Sequence, residues 1–202
     1  MGCKVFFVRH GETVWNHAFR YQGHADVPLS QSGIEQARAL ARRLADQRFE
    51  GFFSSDLERA YATAVILAEP HGAAVHRVPA LREIDFGEWE GLTREEIIRL
   101  YPEVSKKWWS RPLETRLPGG ETLDEVATRA VHVLWEIATR YPDGQVVITA
   151  HGGTIRASIA RLLKMDLNQY WRLRQENAAL SIVELFSPDR AQLILFNDSC
   201  HL

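Results

Sequence analysis

Val5-Phe6-Phe7-Val8-Arg9-His10-Gly11-Glu12-Thr13 is the stretch on which the fold turns. Four consecutive apolar, β-favouring residues without alternation read as a strand covered on both faces. At Arg9 the chain switches abruptly to charged and glycine-bearing sequence, as it does where a buried strand of an α/β sheet runs out into a loop.

Working outward, Ser30 to Gln47 is helical, with Ile34, Ala37, Leu40, Ala41 and Leu44 on one stripe and Arg38, Arg42 and Arg43 outside it. Gly51 to Ser55 reads as a second strand. A helix follows from Leu57 to Glu69, stopped by Pro70 and Gly72. Ala74 to Leu81 is a third strand candidate, Thr122 to Tyr141 an amphipathic helix, Gln145 to Ala150 a strand and Thr154 to Leu163 the helix after it. Leu180–Phe186 and Ala191–Phe196, split by Ser187-Pro188-Asp189-Arg190, form a hairpin. This alternation predicts an α/β fold: a three-layer α/β/α sandwich with a mostly parallel central sheet, an antiparallel edge strand and a small helical lid insert. One domain spans residues 1–202. The insert is 102–120, a stretch rich in Trp, Arg and Pro.

Composition narrows the function. The 202 residues are 46% hydrophobic and 25% charged, which fits a globular domain and excludes disorder, collagen and coiled coil. Lys plus Arg number 24 against 26 Asp plus Glu, so the net charge of −2 argues against a nucleic-acid partner. A small anionic ligand needs only local positive charge. Cys3 and Cys200 are the only cysteines, which offers neither a disulfide framework nor a Cys-rich metal site and, with no signal-like or spanning segment, points to the cytoplasm and away from the membrane. The Met1-Gly2 opening has Phe6 where an acylation site wants Ser or Thr.

Ligands of open α/β sheets bind beyond the carboxyl ends of the strands. Four such ends deliver polar groups here: Arg9-His10-Gly11-Glu12-Thr13, Ser54-Ser55-Asp56 leading into Arg59, Arg82-Glu83, and His151-Gly152-Gly153. Arginine forks take phosphate oxygens two at a time, and glycine-freed amides at a helix start also favour an anion. The cluster has the composition of a phosphate site with a nucleophile in it.

The same residues carry a resemblance. Phe7-Val8-Arg9-His10-Gly11-Glu12-Thr13 with Trp15-Asn16 resembles the signature of the histidine phosphatase superfamily, the phosphoglycerate-mutase-like proteins. Leu29-Ser30 with Gly33, Ser54-Ser55-Asp56-Leu57 with Arg59-Ala60, Leu81-Arg82-Glu83 with Gly87 and Glu90-Gly91, and Ala150-His151-Gly152-Gly153 follow in order, from Lys4 to the last residues. The resemblance implies a two-step phosphoryl transfer. His10 attacks phosphorus, Arg9, Arg59 and His151 hold the phosphoryl oxygens, and Glu83 protonates the leaving oxygen and then activates water. Asn16, Gln22, Gly23 and Gly152 stand where the family contacts phosphate or substrate. The partners implied are a small phosphorylated metabolite and inorganic phosphate, with no cofactor and no metal, the arginines supplying the charge.

Asp85 and Glu88 compete with Glu83 for the acid role, and Arg111, Arg116, Trp108 and Trp109 are candidates for reaching the substrate from the insert. His17, His71, His76 and His132 are read as structural. Gln22, Phe86 and Gly153 stand where mutases carry other residues, and the insert is short, so hydrolysis is expected over mutase chemistry; a binding protein would lack His10, Arg9 or His151. Within the phosphatases, the compact insert, Pro118-Gly119-Gly120-Glu121-Thr122 and the Asn197–Leu202 tail resemble α-ribazole-5′-phosphate phosphatases. The alternative is a broad-specificity phosphatase.

Overall fold

A computed structural model gives the structure of residues 2–202, so the Met1 half of the Met1-Gly2 opening lies outside the described residues. In chain order the elements are β1 (Cys3–Arg9), α1 (Val14–His17), α2 (Gln31–Leu44), β2 (Gly51–Ser54), α3 (Glu58–Ala68), β3 (Val75–Arg77), α4 (Arg94–Leu100), α5 (Pro102–Ser110), α6 (Leu123–Arg140), β4 (Gln145–Ala150), α7 (Gly152–Leu162), β5 (Leu180–Ser187) and β6 (Arg190–Asp198). The sheet order is β3-β2-β4-β1-β5-β6. β1, β2, β3 and β4 run parallel, while β5 pairs antiparallel with β1 and with β6.

Both faces are covered, as the unbroken apolar runs require. Val5 and Phe7 of β1 pack with Val146 and Ile148 of β4 under Leu134 and Ile137 of α6 and Ile155 and Ile159 of α7. Phe6 and Val8, one residue out of step, face the other side with Phe52 and Val147 under Leu40 and Leu44 of α2 and Leu67 of α3. Local signals hold the helix starts: the Ser30 hydroxyl accepts from the Gly33 N–H, and Thr122 and Glu125 cap each other's backbone at α6.

Two expectations change. The third strand shrinks to Val75–Arg77, because Pro79 has no N–H for a ladder and instead opens a 3₁₀ turn over Pro79–Leu81. Segment 102–120 is helical at α5, but it follows a further helix, α4, started by a Thr93/Glu96 capping box. Together these build a satellite core in which Trp108 is fully buried with Trp89, Ile97, Leu117, Val126 and Tyr170. Truncating a side chain of that size in such a core costs about 3–5 kcal/mol. No helix among the described residues is long and apolar enough to cross a membrane.

Candidate active site

Register sets the site. β1 and β4 are neighbours with Arg9 opposite Ala150, and β2 meets β4 with Ser54 opposite Thr149, so three strands stop level at one edge. His10 and His151 are the next residues along, and their rings lie 5.2 Å apart centre to centre. Both are almost fully buried, at 3% and 0% exposure.

The His10 Nδ1 stands 2.7 Å from the Gly11 carbonyl oxygen. A carbonyl can only accept, so Nδ1 carries the hydrogen and the lone pair sits on Nε2, which bonds to nothing among the described residues. Burial first, then the Arg59 and Arg9 guanidiniums, hold the imidazole well below its ordinary value of 6.5. His151 is pushed the same way by burial, then Arg59 and His10, and neither of its ring nitrogens has a partner. Both rings are therefore neutral; His10 lines the cavity above this edge, whereas His151 stands buried beside it and lines no cavity at the site.

Arg9 and Arg59 are anchored through carbonyls instead of carboxylates. Arg9 Nη1 donates to Gln175 O at 2.6 Å; Arg59 donates to Ala25 O and Gly23 O, each at 2.8 Å. Both Nε–H groups are buried without a partner, and neither guanidinium forms an ion pair among the described residues. Burial lowers Arg9 to about 10, against the opposing pull of Glu83, and lowers Arg59 as well. Two oriented cations with Glu83 nearby but no carboxylate in direct contact leave guanidinium donors free for an oxyanion. Thr63 ties α3 to this edge, accepting from the Gly11 N–H at 3.1 Å and donating to Arg59 O at 2.7 Å.

Glu83 rests on the start of α7. Its Oε1 accepts from Ile84 N at 2.9 Å and Thr154 N at 3.0 Å, and its Oε2 from Gly153 N at 3.1 Å. Gly153 must lack a side chain for this: a Cβ there would stand 2.5 Å from Oε1. Arg129 of α6 holds the approach, donating to Ala80 O, Arg82 O and Glu83 O, each at 2.8 Å, while paired with Glu121. A lone arginine on a long helix carries no local signal, so the sequence does not mark Arg129 as part of the site. Arg82 is taken up by a two-pronged pair with Asp56 at 2.8 and 2.6 Å.

A cavity of about 470 Å³ opens over these groups, lined by Arg9, His10, Asn16, Gln22, Gly23, Arg59 and Glu83 at its floor and by Phe19, Arg20, Tyr21, Phe86, Arg94 and Asn177 above. Thr13 organises the amides: its hydroxyl accepts from Asn16 N at 3.2 Å and faces Asn16 Oδ1 at 3.1 Å and Gln22 Oε1 at 3.0 Å. With their oxygens engaged, Asn16 and Gln22 keep their NH₂ donors free. Gly23 has φ +53, and a Cβ there would run into the Glu90 carboxylate. Gly152 is the first residue of α7, where a backbone N–H has no helical carbonyl to meet. It lines a second, polar cavity of about 460 Å³ that adjoins the first at Arg9 and Glu83.

Of the three carboxylates left open by the sequence, only Glu83 lines either of these cavities. Asp85 accepts from Gly87 N and lies 3.9 Å from His24, and Glu88 accepts from the Tyr101 hydroxyl. No residue of 102–120 lines them. Arg111 and Arg116 pair with Glu114 and Glu125, and Trp109 stacks behind the wall on Trp89. Their place on the rim is taken by Arg20, which pairs with Glu96, and by Arg94, whose guanidinium lies 4.8 Å over Trp109 with no ion pair among the described residues. Asn177 donates to His10 O and Asn16 Oδ1, each at 3.1 Å, from a loop with no periodic pattern to read. Among the described residues no group of three or more His, Cys, Asp or Glu is arranged to hold a metal ion.

Sheet, neutral imidazoles and guanidiniums with no directly paired carboxylate together define an α/β enzyme for phosphate monoesters. The chain belongs to the histidine phosphatase superfamily (branch 1), whose profile matches residues 5–199. It is 36% identical over 200 residues to phosphoserine phosphatase 1 of Hydrogenobacter thermophilus, covering 98% of this chain and 94% of that one. The mycobacterial glucosyl-3-phosphoglycerate phosphatase, solved with VO₃ and with inorganic phosphate, superposes with a TM-score of 0.87 at 34% identity over 96% of this chain and 98% of the other. A phosphoserine phosphatase variant from Entamoeba histolytica, solved with phosphoserine, gives 0.88 at 28% identity over 99% of each chain.

Proposed function

We propose that the protein is a metal-independent phosphomonoester hydrolase that works through a phosphohistidine at His10. The observation that carries this is the neutral His10 with its Nε2 lone pair free, flanked by two guanidiniums that no carboxylate pairs directly. Nε2 attacks phosphorus as the ester P–O bond breaks, and the departing oxygen takes the Glu83 proton. Nδ1–H stays on Gly11 O, which offsets the positive charge that grows on the ring. Water then attacks phosphorus, Glu83 takes back a proton and the N–P bond breaks. Arg9, Arg59 and His151 hold the phosphoryl oxygens, with the free amides of Asn16 and Gln22 and the backbone at Gly23 and Gly152 completing the cradle.

For the leaving alcohol, Arg94 favours a substrate with a second anionic group, in keeping with the phosphoserine and glucosyl-3-phosphoglycerate of the named relatives. The features behind the α-ribazole expectation fall elsewhere. Pro118 and Gly120 pack on Gly87, and Asp198 and His201 of the tail bind Arg43. α-Ribazole 5′-phosphate stays in the assay panel on equal terms. Two free cysteines support a reducing, cytoplasmic setting.

The test is phosphate release with EDTA present from phosphoserine, 3-phosphoglycerate, α-ribazole 5′-phosphate and p-nitrophenyl phosphate, with His10→Ala alongside. Release that persists in EDTA, with an acid-labile phosphoenzyme that disappears in His10→Ala, is the expected result. Conversion of 3-phosphoglycerate to 2-phosphoglycerate without release would make the enzyme a mutase.

A further inference from the structure

Phe19 is an anomaly of placement. It is 82% exposed at the mouth of the cavity, and it makes no ring contact among the described residues, whereas Tyr21 and Phe86 below it pack edge to face at 4.9 Å. Its backbone stands at φ +54, in the left-handed region that Gly or Asn adopts at far lower cost than a bulky residue. The turn is clamped on both sides, by Phe19 N to Asn16 O at 3.1 Å and Arg20 N to Trp15 O at 2.9 Å, so the ring is presented from a fixed point. Neither the exposure nor the backbone stabilises the fold. What the side chain adds is apolar area facing the same opening as Tyr21 and Phe86.

We propose that Phe19 is a specificity residue whose ring packs on an apolar or aromatic face of the leaving alcohol, completing with Tyr21 and Phe86 a three-sided aromatic mouth above the phosphate floor. This rests on the phosphomonoesterase reading, and it assigns the site a substrate class beyond short hydroxy acids: phosphomonoesters with a flat or apolar body. The ring meets that body only once phosphate is seated, so its contribution falls on substrates long enough to reach the rim.

The experiment compares kcat/KM for 2-naphthyl phosphate and phosphoserine in the wild-type protein, Phe19→Gly and Phe19→Tyr. An aromatic contact of this kind is worth about three- to tenfold. The naphthyl-to-serine ratio should fall by that factor in Phe19→Gly, through KM, and return in Phe19→Tyr. Glycine relieves the left-handed backbone, so its Tm should be no lower than wild type, which separates a lost contact from a lost fold. An unchanged ratio in Phe19→Gly overturns the proposal. Calorimetric titration with 2-naphthylphosphonate reads the same contact without turnover: binding weakened about three- to tenfold in Phe19→Gly supports it, and equal binding overturns it. Absence of any hydrolysis would strike the hydrolase reading alone.

Discussion

Replacing Gly153 with alanine tests whether the Glu83 carboxylate is held where proton transfer needs it. The added methyl would lie 2.5 Å from Glu83 Oε1 and 2.7 Å from Ile84 Cδ1. Ile84 is buried in the satellite core, so the carboxylate is the group that yields. Restoring ordinary contact moves it by about 1 Å, a displacement that in a catalytic group costs on the order of a hundredfold in rate. It also stretches the bonds from Ile84 N and Thr154 N, now 2.9 and 3.0 Å. The backbone does not object, because Gly153 lies in α7 outside the left-handed region and alanine is the better helix former by about 1 kcal/mol. We expect kcat for phosphoserine to fall about a hundredfold with KM little changed. p-Nitrophenyl phosphate, whose leaving oxygen departs without a proton, should lose far less in the step that forms the phosphoenzyme, measured as the burst of nitrophenolate. Wild-type kcat for phosphoserine, or equal slowing of phosphoenzyme formation with both esters, would refute the placement of Glu83 as the proton donor.

Three further outcomes follow from the same geometry. His10 and His151 are held below 6.5 by burial and by Arg59, so below that pH the unfolded chain takes up protons that the folded protein refuses. Stability is then complete above pH 6.5 and falls with acidification by about 1.4 kcal/mol per pH unit for each neutral histidine, and urea midpoints between pH 6.5 and 5 should show a shallower slope in His151→Gln. Thr13→Val removes the hydroxyl shared by Asn16 and Gln22; we expect KM to rise about tenfold and stability to drop by about 1–3 kcal/mol, read from steady-state kinetics and denaturant titration. Trp108→Leu should lower the urea midpoint through the satellite core while leaving kcat/KM per folded molecule unchanged; a KM effect at full folding would put α5 over the substrate after all.

The elements that could be read in advance were those whose pattern is forced by burial on both sides. Gln145–Ala150 is unambiguous because Gly144 and His151 bracket the apolar run Val146–Ile148 between α6 and α7, and Val5–Val8 is decided in the same way. Part of the floor followed, since Arg9 and His10 leave β1 directly, whereas Glu83 stands beyond the 3₁₀ turn that follows the shortened β3. The rim did not. Arg94 comes from α4, seven residues long and marked only by Thr93 and Glu96, and Asn177 from a loop before β5. Trp108 and Trp109 are read as candidates for reaching the substrate from a Pro- and Arg-rich insert, yet Trp108 pairs edge to face with Trp89 and Trp171 inside the satellite core and Trp109 stacks on Trp89. Long-range partners such as Arg129 on the 80–83 carbonyls leave no trace in local sequence at all.

The pairing of β1 with β4 at the centre of the sheet bears on how the protein comes apart. His10 and His151 are spaced by that ladder, which is the best-protected part of the backbone, whereas the Phe19 turn and α4, which supply the upper rim of the mouth, lie outside the sheet. Mild denaturant should therefore blur discrimination among substrates while the ability to break a phosphate ester survives up to global unfolding. Chemistry and choice reside in regions of unequal durability, so new preferences can be written on the rim without touching the machinery beneath it.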